Sequence, residues 1–300
     1  MSNDNESIGL SNVSLETGAR VSLLQGLGAA LRFLSPLGRR DTVSGAVTFA
    51  RADMWFVPVG LVVGLVWAGL FKGTWRLYGE IANLRVIPPL VIVVVECCFT
   101  GPFLALGLAR TVNLLTSVRP WRPPEETSEP LSPVGTLALA LTVLSSWVLI
   151  ASIPPFSGWW PPPDDWRYPF RHVYPAPIYR SLVLAPIWGR WAILLAGTVG
   201  RTAKYADTQT VALCRSLTPG RLLVHTLFPM AITSVYLSRD GNYLTGIIVG
   251  ISVFITAYVP SVIMARRGGG QTRQSLYAVG QLAQLAFLAM YRAFWPLIHG

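Results

Sequence analysis

The sequence predicts an all-α, polytopic membrane bundle of about seven transmembrane helices, preceded by a short interfacial or re-entrant helix. Three observations predict it. Of 300 residues, 52% are hydrophobic and only 13% charged, with a mean hydropathy of +0.49, whereas about a quarter of the residues in soluble proteins are charged. The apolar residues fall in repeated runs close to the ~17 to 25 residues a helix needs to cross a bilayer. The net charge of +10 comes from Arg-rich loops between those runs, as expected beside anionic lipid. These features exclude a soluble globular enzyme and a disordered chain, and they point away from a nucleic-acid partner. The length fits one membrane domain, 21–300.

The first twenty residues are polar and carry Asp4, Glu6 and Glu16 before the first arginine, Arg20. They lack the basic start and compact apolar core of a signal peptide and read as a disordered cytoplasmic tail. The stretch 21–34 is interrupted by Gln25 and Arg32 and is short for a span, so an interfacial or re-entrant helix is expected. Spans follow at 54–71, 88–109, 134–153, 181–200, 222–237, 243–264 and 276–298. The segment 154–180 is dense in Pro and aromatic residues, which rules out regular helix and suits an ordered interfacial loop outside the cytoplasm. With alternating crossings, fifteen basic residues gather on the amino-terminal side and seven on the other. The positive-inside rule then places the amino terminus in the cytoplasm of a cytoplasmic (inner) membrane. Cys97, Cys98 and Cys214 match neither a disulfide framework nor zinc spacing.

A few residues are out of place for packing alone. Glu96, in VIVVVECCF, is the only acid inside a proposed span. A carboxylate there costs several kcal/mol unless paired or protonated. It is either a functional group or an Arg-paired structural one. Arg190, in PIWGRWAIL, either faces a polar cavity and a phosphate or carboxylate, or neutralises Glu96 across the bundle. The run RRGGGQTRQS, 266–275, is either an anion cradle of glycine amides flanked by arginines or a plain connector. His172 and His225 look isolated, and no acid cluster has a metal-ligand pattern.

Five segments, in order, resemble the cobalamin synthase family, the membrane-bound adenosylcobinamide-GDP ribazoletransferases. ALRFLSPLGRR is similar to that family's opening helix, and FARADMWFVPVGLVVGLVWAGL to its F-P-x-V-G-x-x-x-G span. TGPFLALGLARTVNLL, from Thr100, falls without a gap on its T-G-G-x-H-x-D-G-x-A-D-T-x-D-G run. GRWAILLAGTVGRTAKY is similar to its S-R-x-A helix, and GGQTRQSLYAVGQLAQL, from Gly269, to its G-G-x-T-G-D-x-x-G-A-x-x-E-x-x-E terminus. The resemblance implies transfer of alpha-ribazole or its 5'-phosphate onto adenosylcobinamide-GDP with release of GMP, helped by Mg2+.

The polar residues of those motifs are replaced. The family His falls on Leu104 and its three Asp on Leu106, Arg110 and Asn113. In the last motif the Asp falls on Gln274, the two Glu on Gln281 and Gln284, and the Gly before the Asp on Arg273. Gly107, Ala109, Thr111, Gly269, Gly270 and Thr272 keep the backbone-shaping pattern. Mg2+ binds through carboxylates and phosphates, so no protein metal ligand is expected here, although Arg110 offers a fixed charge to a diphosphate. Two functions stay open. One is a divergent transferase with Glu96, Asn113 and Arg110 as candidate catalytic residues, and Arg190, Gly269, Gly270, Thr272 and Arg273 as candidate substrate-binding ones. The other is an inactive relative serving as a membrane binding or scaffold protein for a corrinoid, a nucleotide or another cobalamin-assembly protein. A phosphorylated ligand is expected to bind without Mg2+, whereas a working metal-dependent transferase would lose its binding to a chelator.

Overall fold

The computed structural model describes residues 23–35, 51–79, 81, 84–99, 102–116, 130–154, 175–238 and 243–296. Among the described residues there are ten helices and no strand. In chain order they are α1 (Leu23–Leu34), α2 (Asp53–Tyr78), α3 (Ile87–Phe99), α4 (Phe103–Thr116), α5 (Pro133–Ser152), α6 (Pro177–Thr198), α7 (Thr208–Ser216), α8 (Pro219–Tyr236), α9 (Leu244–Arg267) and α10 (Arg273–Ala293). The expected tail 1–20 lies outside the described residues, as does most of the Pro-rich loop, 155–174.

The starts of four helices are written locally. Ser132, Asp207 and Thr218 each accept a backbone N–H from three residues on, at 3.2, 2.9 and 3.3 Å. Thr272 and Ser275 cap each other reciprocally at the head of α10. Each satisfies an amide that the first helical turn leaves without a partner. α6 begins at Pro177, not at 181 as the sequence suggested, because proline is well tolerated where no helical N–H is needed.

Four helices, α2, α5, α6 and α9, are long and apolar enough to cross a membrane, and five spans result if α3 and α4 form one. Those two were expected as a continuous span, 88–109, yet their axes are bent by 76°. Pro102 stands at the break, and a proline disfavours helix in the residue before it. The expected spans at 222–237 and 276–298 form α8 and α10, which fall short of the same length-and-hydropathy test. In α10 the reason is plain, since Gln274, Gln281, Gln284 and Arg292 lower its hydropathy. Leu65 and Val66 of α2, Leu141 and Val148 of α5, Leu227 of α8, and Ile251 and Ile255 of α9 are exposed. Such long apolar faces suit lipid, and the chain is a multi-pass membrane protein.

α6 is the axis of the bundle, 94% buried over its most apolar window, with α2 and α10 packed most extensively against it. α2 approaches through Gly60 and Gly64. A Cβ on Gly64 would lie 2.7 Å from Val183 Cα, and one on Gly60 2.9 Å from Ile187 Cα. Small residues four apart let two backbones meet this closely, and van der Waals contact then holds them where lipid supplies no hydrophobic drive. α10 closes on α4 in the same way, with a Cβ on Gly107 placed 2.5 Å from Tyr277 Cβ. Only Gly permits that approach, which accounts for one retained motif glycine.

Candidate functional site

A cavity of about 670 Å3 opens at one end of the bundle, between the end of α1, the second half of α4, the 205–207 segment and the 268–277 turn into α10. Its walls carry Arg32, Arg110 and Arg273, with Tyr205, Phe103 and Tyr277 as aromatic surface and Asp207 as the sole acid among the described residues. Asp207 is engaged as a helix cap, its two oxygens accepting from Thr210 N at 2.9 Å and Thr210 Oγ1 at 2.8 Å. Among the described residues the cavity wall is therefore rich in positive charge, and its one carboxylate is engaged.

The Gly-rich run is more than a connector. Gly269 and Gly270 take φ of 66° and 135°, which L-residues with side chains rarely adopt. That path lets Gln271 pair with the 201–203 segment in an isolated parallel bridge: Gln271 N donates to Arg201 O at 2.8 Å and Ala203 N to Gln271 O at 2.9 Å. The buried Gln271 amide anchors the turn further, donating to Val199 O and Ser261 O at 3.1 and 3.0 Å. Gly270 and Thr272 line the cavity. The amides of Gln271 and Thr272 are occupied within the fold, so the expected cradle of free amides is largely spent on structure.

Arg273 behaves unlike a free phosphate donor. Its Nε donates to Tyr277 OH at 2.7 Å and its Nη2 to the carbonyls of Arg32 and Phe33 at 3.2 and 3.1 Å. Tyr277 OH also donates to Phe33 O, and the guanidinium lies 4.7 Å from the Phe33 ring centroid. These contacts reach carbonyls in the last turn of α1, where helical partners run out, and they tie α1 to α10.

A second polar cluster sits deep in the bundle. Arg190, 1% exposed, donates from Nη1 to Gln284 Oε1 at 2.8 Å, and Gln284 Nε2 donates to Glu96 Oε1 at 3.0 Å. Arg190 Nη2 lies 3.9 Å from the same Glu96 oxygen. Of the two readings of Arg190, the structure displays the neutralising one, and Arg190 is not part of the large cavity's lining. An amide at 284 accepts from the arginine and donates to the carboxylate at once. Glu96 and Gln281 also face a small cavity of about 20 Å3 with Thr142 and Ser146.

The remaining sequence candidates scatter. Asn113 turns toward α5, where a Cβ on Gly135 would lie 3.4 Å from its own Cβ, and it does not line the large cavity. Gly269 shapes the turn without lining the cavity. His225, read as isolated, lies with Nε2 3.2 Å from Asp53 Oδ2. Asp53 is buried at the first turn of α2, one residue before the expected start of that span, and Arg221 Nη1 stands 3.6 Å from it. Partners 172 positions apart leave no local signature. His172 lies outside the described residues. Beside the cavity wall, burial pushes the Cys214 thiol up to about 12, with the Asp207 charge adding to the effect. Arg32, Tyr205 and Asp207 were not singled out from sequence. Arg32 alone had a signal, as the charge that interrupts an apolar run.

Among the described residues no three His, Cys, Asp or Glu side chains gather as a metal would require. A family model described as cobalamin-5-phosphate synthase matches residues 26–291. No curated protein and no solved structure matches the chain.

Proposed function

The chain belongs to the cobalamin-5-phosphate synthase family, and we propose that it is a divergent member that binds a phosphate-bearing corrinoid or nucleotide in its basic cavity while its nucleotide-transfer chemistry is lost or very slow. The carrying observation is the cavity wall, which among the described residues has three arginines and one acid whose oxygens both cap α7. Family resemblance implies Mg2+ beside a diphosphate, and these residues do not fit it. Mg2+ demands oxygen ligands in near-ideal octahedral geometry, whereas the acid-replacing residues that line this cavity are Leu106, Arg110 and Gln274. Guanidinium groups instead match phosphate oxygens in a charged, often two-pronged hydrogen bond.

A second reading keeps the transferase, joining alpha-ribazole to adenosylcobinamide-GDP with release of GMP. It is favoured by Arg110 alone, which lines the cavity at a family acid position and would stabilise charge on the departing diphosphate oxygen. The experiment separating the two readings incubates purified protein with adenosylcobinamide-GDP, alpha-ribazole and Mg2+ and measures GMP. Release far below the ordinary enzyme range of ~1 per second supports the binding reading, and turnover at or above that range refutes it.

In this proposal the cavity opens to the cytoplasm of an inner-membrane protein, where nucleotides and other cobalamin-assembly proteins are found. Single cysteines placed at Thr208 and Ser275 should then resist impermeant reagent in intact cells. Ready labelling of either from outside would reverse the orientation.

A further inference from the structure

Resting on the reading of the cavity as a phosphate site, the geometry points to Arg32 as a direct ligand contact, and to Arg273 and Tyr277 as positioning residues that act through it. Arg32 is the last-turn arginine of α1 and part of the cavity wall. It donates Nε–H to Gly28 O at 3.2 Å, and its two terminal nitrogens have no hydrogen-bond or ion-pair partner among the described residues. A half-buried arginine with its fork unengaged among the described residues, facing a cavity whose one described acid is already bonded, is set to take a phosphate. Arg273 has a different occupation. Three of its hydrogen bonds and its ring contact are spent on Tyr277 and on the end of α1. Two of those bonds reach the main-chain carbonyls of Arg32 itself and of Phe33, so Arg273 fixes the backbone that carries the Arg32 side chain.

α1 has twelve residues, fewer than an isolated helix needs for stability in water. It packs on α2, with Ala29, Ala30 and Phe33 buried, and the clasp adds a polar tie from its last turn to α10. An arginine on α10 thus holds the backbone of a second arginine, on α1, over a cavity that shows no metal-ligand cluster among the described residues. The chemistry it serves is a phosphate group as monoester or diphosphate, bound without a divalent ion.

The test measures GMP binding to the full-length protein in lipid nanodiscs with EDTA present, alongside hydrogen exchange of the α1 amides. Arg32→Gln is expected to weaken binding about tenfold or more, the effect of losing one charged hydrogen bond, with α1 protection unchanged. Arg273→Gln and the uncharged change Tyr277→Phe are expected to weaken binding and to raise α1 exchange together. In the Arg32→Gln background, Arg273→Gln should cost no more than about twofold further, since it acts through Arg32. The inference is overturned if Arg32→Gln binds like wild type, or if Arg273→Gln adds a second tenfold loss in that background. If wild type itself binds no GMP, the phosphate reading of the cavity falls and this assignment with it. Wild-type binding with an indifferent Arg32→Gln removes only this assignment.

Discussion

The two arginine-bearing clusters of this bundle have opposite characters. At the centre, Arg190, Gln284 and Glu96 form a connected set, the amide bridging arginine and carboxylate and one positive charge beside one negative, with Arg190 Nε left without a hydrogen-bond partner among the described residues. At the end of the bundle, Arg32, Arg110 and Arg273 share an open cavity whose single acid among the described residues is engaged elsewhere. An intramembrane charge is a functional candidate on cost alone, but here the deeper charge has its counter-charge within the bundle, while the shallower ones face open volume. Charge facing open volume is the better guide to a ligand site than burial of a charge.

The largest expected effect comes from breaking the connected set. Arg190→Ala leaves Glu96 buried beside an amide only and should cost about 3 to 5 kcal/mol, read as a loss of thermal stability or of folded yield. Replacing both partners, as Arg190→Met with Glu96→Gln, should recover most of that loss, because an uncharged pair no longer needs its counter-charge. If the single change is neutral, the central cluster is not structural and the contrast fails.

Next in size is the contact that places α6 beside α2. Gly64→Leu forces side-chain atoms into the Val183 backbone and should cost about 1 to 3 kcal/mol, with more if the helices must separate. Unchanged melting would mean that the two helices do not meet there.

At the open cavity the expected pattern reverses. Arg110→Gln should shift stability by no more than about 0.5 kcal/mol while weakening GMP binding by about tenfold. A stability loss equal to that of Arg190→Ala would erase the distinction between the clusters. The smallest effect is chemical: with its thiol pushed up to about 12, Cys214 holds little thiolate at pH 8 and should resist maleimide until the protein unfolds. Rapid labelling of native protein would contradict the packed wall between α7 and α6.

The helical membrane fold was legible because hydropathy over twenty residues is a local property of sequence. Its break at Pro102 was also written there, but the apolar run on either side masked it. Glu96 and Arg190 were visible as misplaced charges, and their mutual neutralisation was one of two open readings. Gln284, lying 94 positions from Arg190, was visible only as a lost family acid and not as the bridge between them. The proposed anion site was legible in charge type and illegible in membership. Arg273 read as a ligand donor because sequence does not reveal that the carbonyls of α1 lie beside it, and Arg32 was passed over as an interruption of a short helix. Hydropathy fixes spans; which charges remain unspent depends on contacts between distant helices.

The central claim is that a family scaffold stripped of its carboxylates binds phosphate through arginine alone. Its most direct measurement is the calorimetric affinity of the full-length protein for GMP, in EDTA and in Mg2+, across a range of salt. The account predicts equal affinity with and without the metal, weakening steadily as salt screens the arginines. Binding that requires Mg2+ and vanishes in EDTA would contradict it.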